Sequence, residues 1–472
     1  MRAQTGESST TGLLSPVALF AGALLLTCAP VMRGGNRYAA LIVLELLALV
    51  VLVLFAFKSA TTPAVTAAIA RRRPFLLLLA SPLLLALVFL TPLPPELWSR
   101  LPGHAEIVRA MQDAGVDNAT WRGASVSPSA TAASLLAGLP LLACLLLGFL
   151  ASIDQLRVLM RVVVCVAFAQ VVLALLQVAG GETSPFYFGV LTFGAPVGTF
   201  ANRNHFANYL AMALVALVWL AYESWRDSRQ KEDSTFTGRQ RTVVWVCCGL
   251  FLIVGILVSR SRGGALFGLP FAVLALMAIS LRIKGWSRGW RIAVPLSLAV
   301  FVLSIALVGY ELVLSRLTTE QLASSADFRG RLAETTFEGA MAFFPLGSGW
   351  GTFDLAYPRF QPASLPGFAN QAHMDYVQML FEGGIFFVVF AIAFIALAAK
   401  RAYLLARRAW LDRTLNRECM AAALAGLGLM ALLLHSTVEF NMRIPANAML
   451  GALLCGVFLR PLHTSTGSTT SA

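Results

Sequence analysis

The stretch from Tyr38 to Lys58 reads YAALIVLELLALVVLVLFAFK, with Glu45 its one charge before the closing lysine. At 1.5 Å rise per residue, a helix of about 20 residues covers about 30 Å, the thickness of a bilayer's hydrocarbon core. No face of this helix is polar, so its solvent is lipid or protein interior rather than water. The same reading extends outward along the chain. Apolar runs of spanning length fall at 13–31, 38–57, 74–92, 132–151, 158–179, 205–222, 242–258, 265–281, 292–310, 381–399, 420–438 and 446–459. The spacing predicts an all-α integral membrane protein of about 12 transmembrane helices. An even number puts both termini on one side. The break at Ile444-Pro445 is a bend or a clean helix end.

Composition agrees. Of 472 residues, 58% are hydrophobic and 12% charged, where soluble domains carry about 25% charged residues. A water-soluble enzyme, a disordered chain and a nucleic-acid binder are excluded, although the formal net charge is +13. That charge is a topology signal. With the N-terminus inside, about two thirds of the Lys and Arg fall in inside segments, including all four lysines, Lys58, Lys231, Lys284 and Lys400. The richest are Ala70–Arg73, residues 223–241, Arg282–Arg291 and Lys400–Arg417. Both termini are therefore expected in the cytoplasm. Residues 1–12 are polar and nearly uncharged, and the run after them is long enough to span, so no cleavable signal peptide is expected. The seven cysteines show no C-x-x-C spacing.

Outer loops are expected at 93–131, 180–204 and 311–380. The last is rich in aromatics, Gly and Pro, and its segments Phe343-Phe344-Pro345-Leu346 and Tyr357-Pro358-Arg359-Phe360 are expected to pack onto a membrane surface. The tail from Thr464 is Ser/Thr-rich and expected to be disordered.

Three polar clusters stand at outer helix entrances, where polar groups are costly. The first is residues 198–209, GTFANRNHFANY, with Asn202, Arg203, Asn204 and His205. A helix start needs only one N-cap, and this stretch offers several polar groups. The second is Ser259-Arg260-Ser261-Arg262-Gly263-Gly264, which sets two guanidiniums against the positive-inside trend. Arginine's planar fork suits bidentate phosphate contact, and Gly-Gly before a helix lets a backbone N–H approach an anion. The third, residues 373–384, reads HMDYVQMLFEGG. If helical throughout, it sets His373, Tyr376, Val377 and Leu380 on one face and Asp375, Gln378 and Glu382 on another. Histidine is the side chain best suited to take a proton near neutral pH. Between them, Gly347-Ser348-Gly349-Trp350-Gly351 marks a tight turn or a close approach to a ligand, and Asp327–Arg331 a short amphipathic segment. There is no H-E-x-x-H, no G-x-x-x-x-G-K-[ST] and no Asp-x-Asp, so neither a metalloprotease, an ATP-driven motor nor a metal-dependent nucleotide-sugar enzyme is indicated.

G-T-F-x-N-x-N at 198–204, S-R-G-G at 261–264, G-x-G-W-G-T-F at 347–353 and H-x-D-Y-x-Q-x-x-F-E-x-G at 373–384, in that order, resemble the O-antigen ligase and polymerase superfamily. These are multi-pass glycosyltransferases of the bacterial inner membrane. The resemblance implies a glycosyltransferase-C-like membrane fold with a large periplasmic loop between the ninth and tenth spans. It implies residues 1–180 as N-terminal helices, 181–460 as the catalytic membrane region and 461–472 as a cytoplasmic tail. It implies transfer of a glycan from undecaprenyl pyrophosphate to an acceptor hydroxyl at the periplasmic face, without cofactor or metal and with inversion. His373 is then the base or acceptor-orienting group. Arg262 and, from a shifted position, Arg203 are pyrophosphate ligands. Arg260, Asn202, Asn204, His205, Asp375, Tyr376 and Glu382 complete the donor and glycan contacts. Many members carry Asn-Pro-Asn with an Arg upstream, whereas here Asn202-Arg203-Asn204 follows Phe193-Gly194-Ala195-Pro196, which has no Arg. Either Arg203 takes that role or the role is absent. The expected partners are the lipid-linked donor, an acceptor glycan lipid (lipid A-core or a second repeat unit) and membrane lipids, with no nucleic acid. A protein O-oligosaccharyltransferase shares the chemistry. A multi-span transporter or flippase is the rival of another class, but it calls for charges at mid-membrane, where Glu45 stands alone.

Overall fold

The computed structural model describes residues 14–70, 73–117, 119–189, 195–228, 238–281, 296, 319–365, 367–411 and 416–460. The expected ninth span, 292–310, lies outside the described residues apart from residue 296, as does the tail 461–472.

Among the described residues the secondary structure is helical save one two-residue antiparallel pair, β1 (Pro92–Leu93) with β2 (Arg122–Gly123). The helices are α1 (Pro16–Val31), α2 (Tyr38–Thr61), α3 (Pro63–Ala70), α4 (Arg73–Leu90), α5 (Pro95–Trp98), α6 (Ala105–Asp113), α7 (Pro128–Ala137), α8 (Leu139–Leu150) and α9 (Ile153–Ala179). Then follow α10 (Arg203–Ser228), α11 (Gly238–Val258), α12 (Arg262–Ser280), α13 (Thr319–Phe343), α14 (Phe353–Ala356), α15 (Asp375–Leu411), α16 (Arg417–His435) and α17 (Pro445–Leu459). Among the described residues, eight helical stretches are long and apolar enough to cross a membrane, α7 and α8 counting as one, and three shorter apolar helices accompany them. The chain is thus an all-α membrane protein. Pro445 opens α17 at its first turn, where proline's missing N–H costs nothing, so Ile444-Pro445 is a clean start rather than a bend.

α10 is the central helix. It packs against α9, α11, α12, α16 and α17. Small residues bring two of these backbones close. A side chain added at Gly264 or Gly268 would meet Ala207 or Ala211 at 2.3 and 2.4 Å. These pairs, four residues apart on each helix, form a small-xxx-small seam between α10 and α12, the device by which helices approach in lipid.

Residues 195–202 lead into α10 and are fixed by two buried glutamines of α9. Gln177 accepts from the N–H groups of Val197 and Gly198 at 2.9 and 3.0 Å and donates to the Gly198 carbonyl at 2.6 Å. Gln170 accepts from the Thr199 N–H at 2.8 Å. Phe200 is fully buried beside Phe206 and Tyr209. The G-T-F motif is therefore an anchor that sets where α10 begins.

In the segments expected to lie on a membrane surface, Phe343 and Tyr357 turn inward while Phe344, Pro345, Pro358 and Arg359 stay exposed. Phe343, Phe353, Tyr357 and Phe381 are fully buried in one cluster, with Phe343–Phe381 centroids 5.3 Å apart and Phe353–Tyr357 4.8 Å apart.

Candidate active site

Two of the sequence clusters, 169 residues apart by numbering (204 to 373), meet at a residue belonging to neither, and the Ser259–Gly264 cluster joins them through the Ser261–Asn204 hydrogen bond. That residue is Glu439, in the nine-residue connection 436–444 between α16 and α17. Its side chain is 1% exposed. One oxygen, Oε1, takes a hydrogen bond from His373 Nδ1 at 2.9 Å. The other accepts from the Asn204 amide and, at 3.3 Å, from Arg329. His205 Nε2 lies 4.0 Å from Oε1. The Phe440 ring stands edge-on to both histidines, with centroids 4.7 Å from His373 and 4.5 Å from His205.

The electrostatics follow from these contacts. Burial pushes the Glu439 carboxyl up, but the hydrogen bond from His373 and the charges of His205, His373 and Arg329 outweigh it and hold the pKa down at about 2. An ionised carboxylate only accepts, so the proton between the two side chains sits on His373 Nδ1. In the neutral imidazole, that tautomer presents Nε2 as the lone pair.

His373 precedes α15, which begins at Asp375. The expected helical face through His373 therefore does not form. His373 has φ +53°, a left-handed conformation that an unbranched L residue adopts only when held there. The holding contacts are plain. The Ala372 N–H donates to Gln378 Oε1 at 2.9 Å, and the Asp375 N–H to the Ser436 carbonyl at 3.1 Å. Asp375 Oδ2 accepts from the Met442 N–H at 2.8 Å, and the Tyr376 hydroxyl donates to the Leu433 carbonyl at 2.7 Å. The start of α15 is pinned to the α16–α17 connection on both sides of Glu439.

Arginines surround this pair. Arg203 lies within electrostatic reach of Arg260, Arg262 and Arg329. All four side chains are exposed. Arg329 pairs with Glu439, whereas Arg203, Arg260 and Arg262 form no ion pair among the described residues. Glu439 is the carboxylate that answers them, pairing with Arg329 and acting on Arg203, and like charges held together beyond that cost free energy that an anion would recover.

The first cluster divides its labour. Asn202 caps α10, its Oδ1 accepting from the Asn204 N–H at 2.8 Å. Asn204 instead bridges Glu439 and Ser261, whose hydroxyl lies 2.8 Å from Asn204 Oδ1. Ser261 caps α12 through the Gly264 N–H at 3.0 Å. That contact takes one of the two N–H groups expected to approach an anion at Gly263-Gly264. The Gly264 N–H is already taken, and a side chain at Gly263 would strike His435 Nε2 at 2.3 Å. These glycines make room for His435 and for the α10–α12 seam. His205 and His435 are buried, and His435 Nδ1 lies 3.3 Å from Asn208 Oδ1.

Asp375 and Glu382 turn into the protein, and neither touches His373. Glu382 is fully buried. It accepts from Arg443 at 2.5 Å, from the Gly351 N–H at 2.9 Å and from Gln378 at 3.2 Å. Burial works against the Arg443 charge, but Glu382, with Asp375 and Asp354 behind it, outweighs that and raises the Arg443 pKa. The Ser348 and Gly349 N–H groups donate to the Phe381 and Glu382 carbonyls at 3.0 Å each. The glycine-rich turn is thus a clasp around α15, and Gly347 (φ +88°) is needed because a Cβ there would lie 2.4 Å from the Glu382 carbonyl.

Sequence reasoning missed Glu439 and Arg329 as members of the site. Glu439 did leave a signal: it is the sole acid after Glu418, set in an otherwise apolar helical hairpin. Among the described residues no group of three or more His, Cys, Asp or Glu side chains is arranged to hold a metal ion.

No curated protein matches the chain. Residues 247–392, which contain Ser261–Gly264, the 347–353 clasp and His373, match the family model described as O-antigen ligase, in line with the superfamily that the four motifs resemble.

Proposed function

We propose that the protein transfers a glycan from undecaprenyl pyrophosphate to a sugar hydroxyl of an acceptor lipid, at the periplasmic face of a bacterial inner membrane. The observation that carries this reading is the His373–Glu439 pair beneath four exposed guanidiniums. His373 Nε2 removes the acceptor's proton as its oxygen forms the new bond to the anomeric carbon. The old C–O bond breaks on the opposite side, which inverts that centre, and its electron pair leaves with the pyrophosphate. Arg203, Arg260, Arg262 and Arg329 stabilise the charge that grows there. Glu439 fixes the imidazole tautomer and balances the imidazolium that forms, the role of the acid in a Ser-His-Asp triad. Asp375, Tyr376, Gln378 and Glu382 are positioning residues, since their polar atoms contact the chain itself. The basic helix ends opposite this cluster support a periplasmic orientation.

The test uses purified protein in nanodiscs with an undecaprenyl pyrophosphate-linked repeat unit, alone and with lipid A-core, followed by gel and mass spectrometry. A product ladder from donor alone means a polymerase, and a single mass step on lipid A-core means a ligase. Wild type and His373→Ala giving equal output would overturn the assignment.

A further inference from the structure

The turn between α1 and α2, residues 32–37, reads MRGGNR and lies at the same end of the bundle as the candidate site. The hydroxyl of Thr199, four residues before α10, donates to the Pro30 carbonyl at 2.6 Å. A Cβ at Gly34 would lie 3.1 Å from both Ile444 and Phe200, and one at Gly35 would lie 2.7 Å from Pro445. The turn is therefore fastened to the two segments that carry Asn204 and Glu439. Like Arg260 and Arg262, its two arginines stand against the positive-inside trend.

Neither arginine is answered. Arg33 Nε is buried without a hydrogen-bond partner, and neither Arg33 nor Arg37 forms an ion pair among the described residues. Residues 14–70, all described, hold one acid, Glu45, eight residues beyond Arg37 within α2. Burial and the Arg37 charge both lower the Arg33 pKa, so the guanidinium is kept charged at a cost. Arg33 is also held in a left-handed conformation, φ +60°. Among the described residues the other non-glycine cases are Phe188, Arg260 and His373, and the last two belong to the candidate site. Backbone strain of this kind gathers at ligand sites. Beyond the turn, Tyr38, Ile42, Leu46, Leu49 and Val53 form one exposed apolar stripe along α2. A phosphate at the turn would have lipid-facing surface directly beside it for a hydrocarbon chain.

Bonding decides which phosphate this is. In the proposed transfer the donor's pyrophosphate is bonded to the reacting anomeric carbon, so it must lie beside His373. The arginines within electrostatic reach of Arg203 are Arg260, Arg262 and Arg329, and neither Arg33 nor Arg37 is among them. A lipid phosphate held at the α1–α2 turn is one that sugars separate from the reacting oxygen. The acceptor lipid is built that way, with its phosphate at one end and its attacking hydroxyl at the other.

We infer that Arg33 and Arg37 bind the phosphate of the acceptor lipid, apart from the donor's pyrophosphate, an inference that rests on the transfer reading above. The experiment is native mass spectrometry of the full chain in detergent, which counts bound lipids whether or not transfer occurs. The probes are the undecaprenyl pyrophosphate-linked repeat unit, alone and with lipid A-core, and phosphatidylglycerol as competitor. Wild type should carry two lipids at once, the second being another repeat unit or lipid A-core. Arg33→Asn suits the left-handed backbone. Combined with Arg37→Gln, it should retain the second lipid at least about tenfold more weakly. Arg203→Gln with Arg262→Gln should lose the other lipid instead. Equal retention of the second lipid by wild type and the Arg33–Arg37 variant would overturn the inference. So would its displacement by phosphatidylglycerol in wild type, which would assign the arginines to bilayer headgroups. Two lipids on wild type and one on the variant, with no transfer by either, would support the second phosphate site and overturn the transfer reading alone.

Discussion

His373 Nδ1 and Glu439 Oε1 lie 2.9 Å apart although 66 residues separate them in sequence. The first leads into α15, and the second sits on the connection between α16 and α17. Because Glu439 also holds Asn204 and Arg329, one carboxylate sets the relative position of an imidazole, a helix start and a guanidinium.

Glu439→Gln tests this directly. Glutamine keeps the shape and an acceptor oxygen but loses the charge. The turnover number should fall about 100-fold or more, with KM for the donor nearly unchanged, since the loss falls on the transition state. Steady-state transfer assays on purified variants check the split. A fall in membrane yield with normal specific activity would make Glu439 merely structural.

The same carboxylate predicts a pH dependence of stability. Its pKa is lowered from 4.5 to about 2 in the folded chain. A depressed pKa contributes stability that is fully present above the unfolded value and is lost as pH falls. The contribution, on the order of 3 kcal/mol, should therefore disappear between about pH 4.5 and pH 2. Thermal unfolding in detergent should fall more steeply over that window for wild type than for Glu439→Gln. Parallel curves would contradict the assignment.

Arg203 is repelled by Arg260 and Arg262, and none of the three carries an ion pair among the described residues, so neutralising one should not destabilise the fold. Arg203→Gln and Arg262→Gln are expected to leave the melting temperature equal or slightly higher, within about 0.5 kcal/mol, while transfer falls at least about tenfold. Arg262→Lys should be nearly as damaging, because the planar fork is lost. Calorimetry alongside the transfer assay separates the two quantities, and normal activity in all three variants would reduce these residues to headgroup anchors.

Gly264→Ala should behave oppositely. Its new methyl would sit 2.3 Å from the Ala207 Cβ, forcing α10 and α12 apart. A loss of about 1–3 kcal/mol is expected, read as a lower unfolding temperature, with activity lost because Asn204 and Arg262 separate.

Glu382 and Arg443 form a buried pair at 2.5 Å. Arg443→Met leaves the fully buried Glu382 charge alone and should cost about 3–5 kcal/mol, whereas Glu382→Gln leaves Arg443 partly exposed and near Asp375 and Asp354 and should cost less. The double variant should cost less than the sum of the two, and strict additivity would show that the pair is not coupled.

The spans were legible because lipid forces every turn of a helix to be apolar, a signal that needs no knowledge of neighbours. Residues 203–204, 260–262 and 373 were legible because polar groups at helix entrances stand out against that background. Glu439 was not, since a single acid in a short turn looks like ordinary loop polarity until its partners are seen in space. The misreadings share that cause. Gly263-Gly264 was read for what it offers a ligand, whereas its spacing is dictated by His435 and Ala207 across the bundle. Asp375 and Glu382 were placed near the chemistry by adjacency in sequence, but each is consumed by backbone or Arg443.

The position of Glu439 also bears on modularity. The family-matched stretch ends at residue 392, so the carboxylate that orients His373 comes from outside it, and so does the helix that seats Gly264. Residues 247–392 are thus not a cassette that could be transplanted or expressed by itself. A shuffled or shortened chain could keep every motif in that stretch and still lack a working centre. In this protein, inheritance of the site depends on the last helical hairpin as much as on the motifs that announce it.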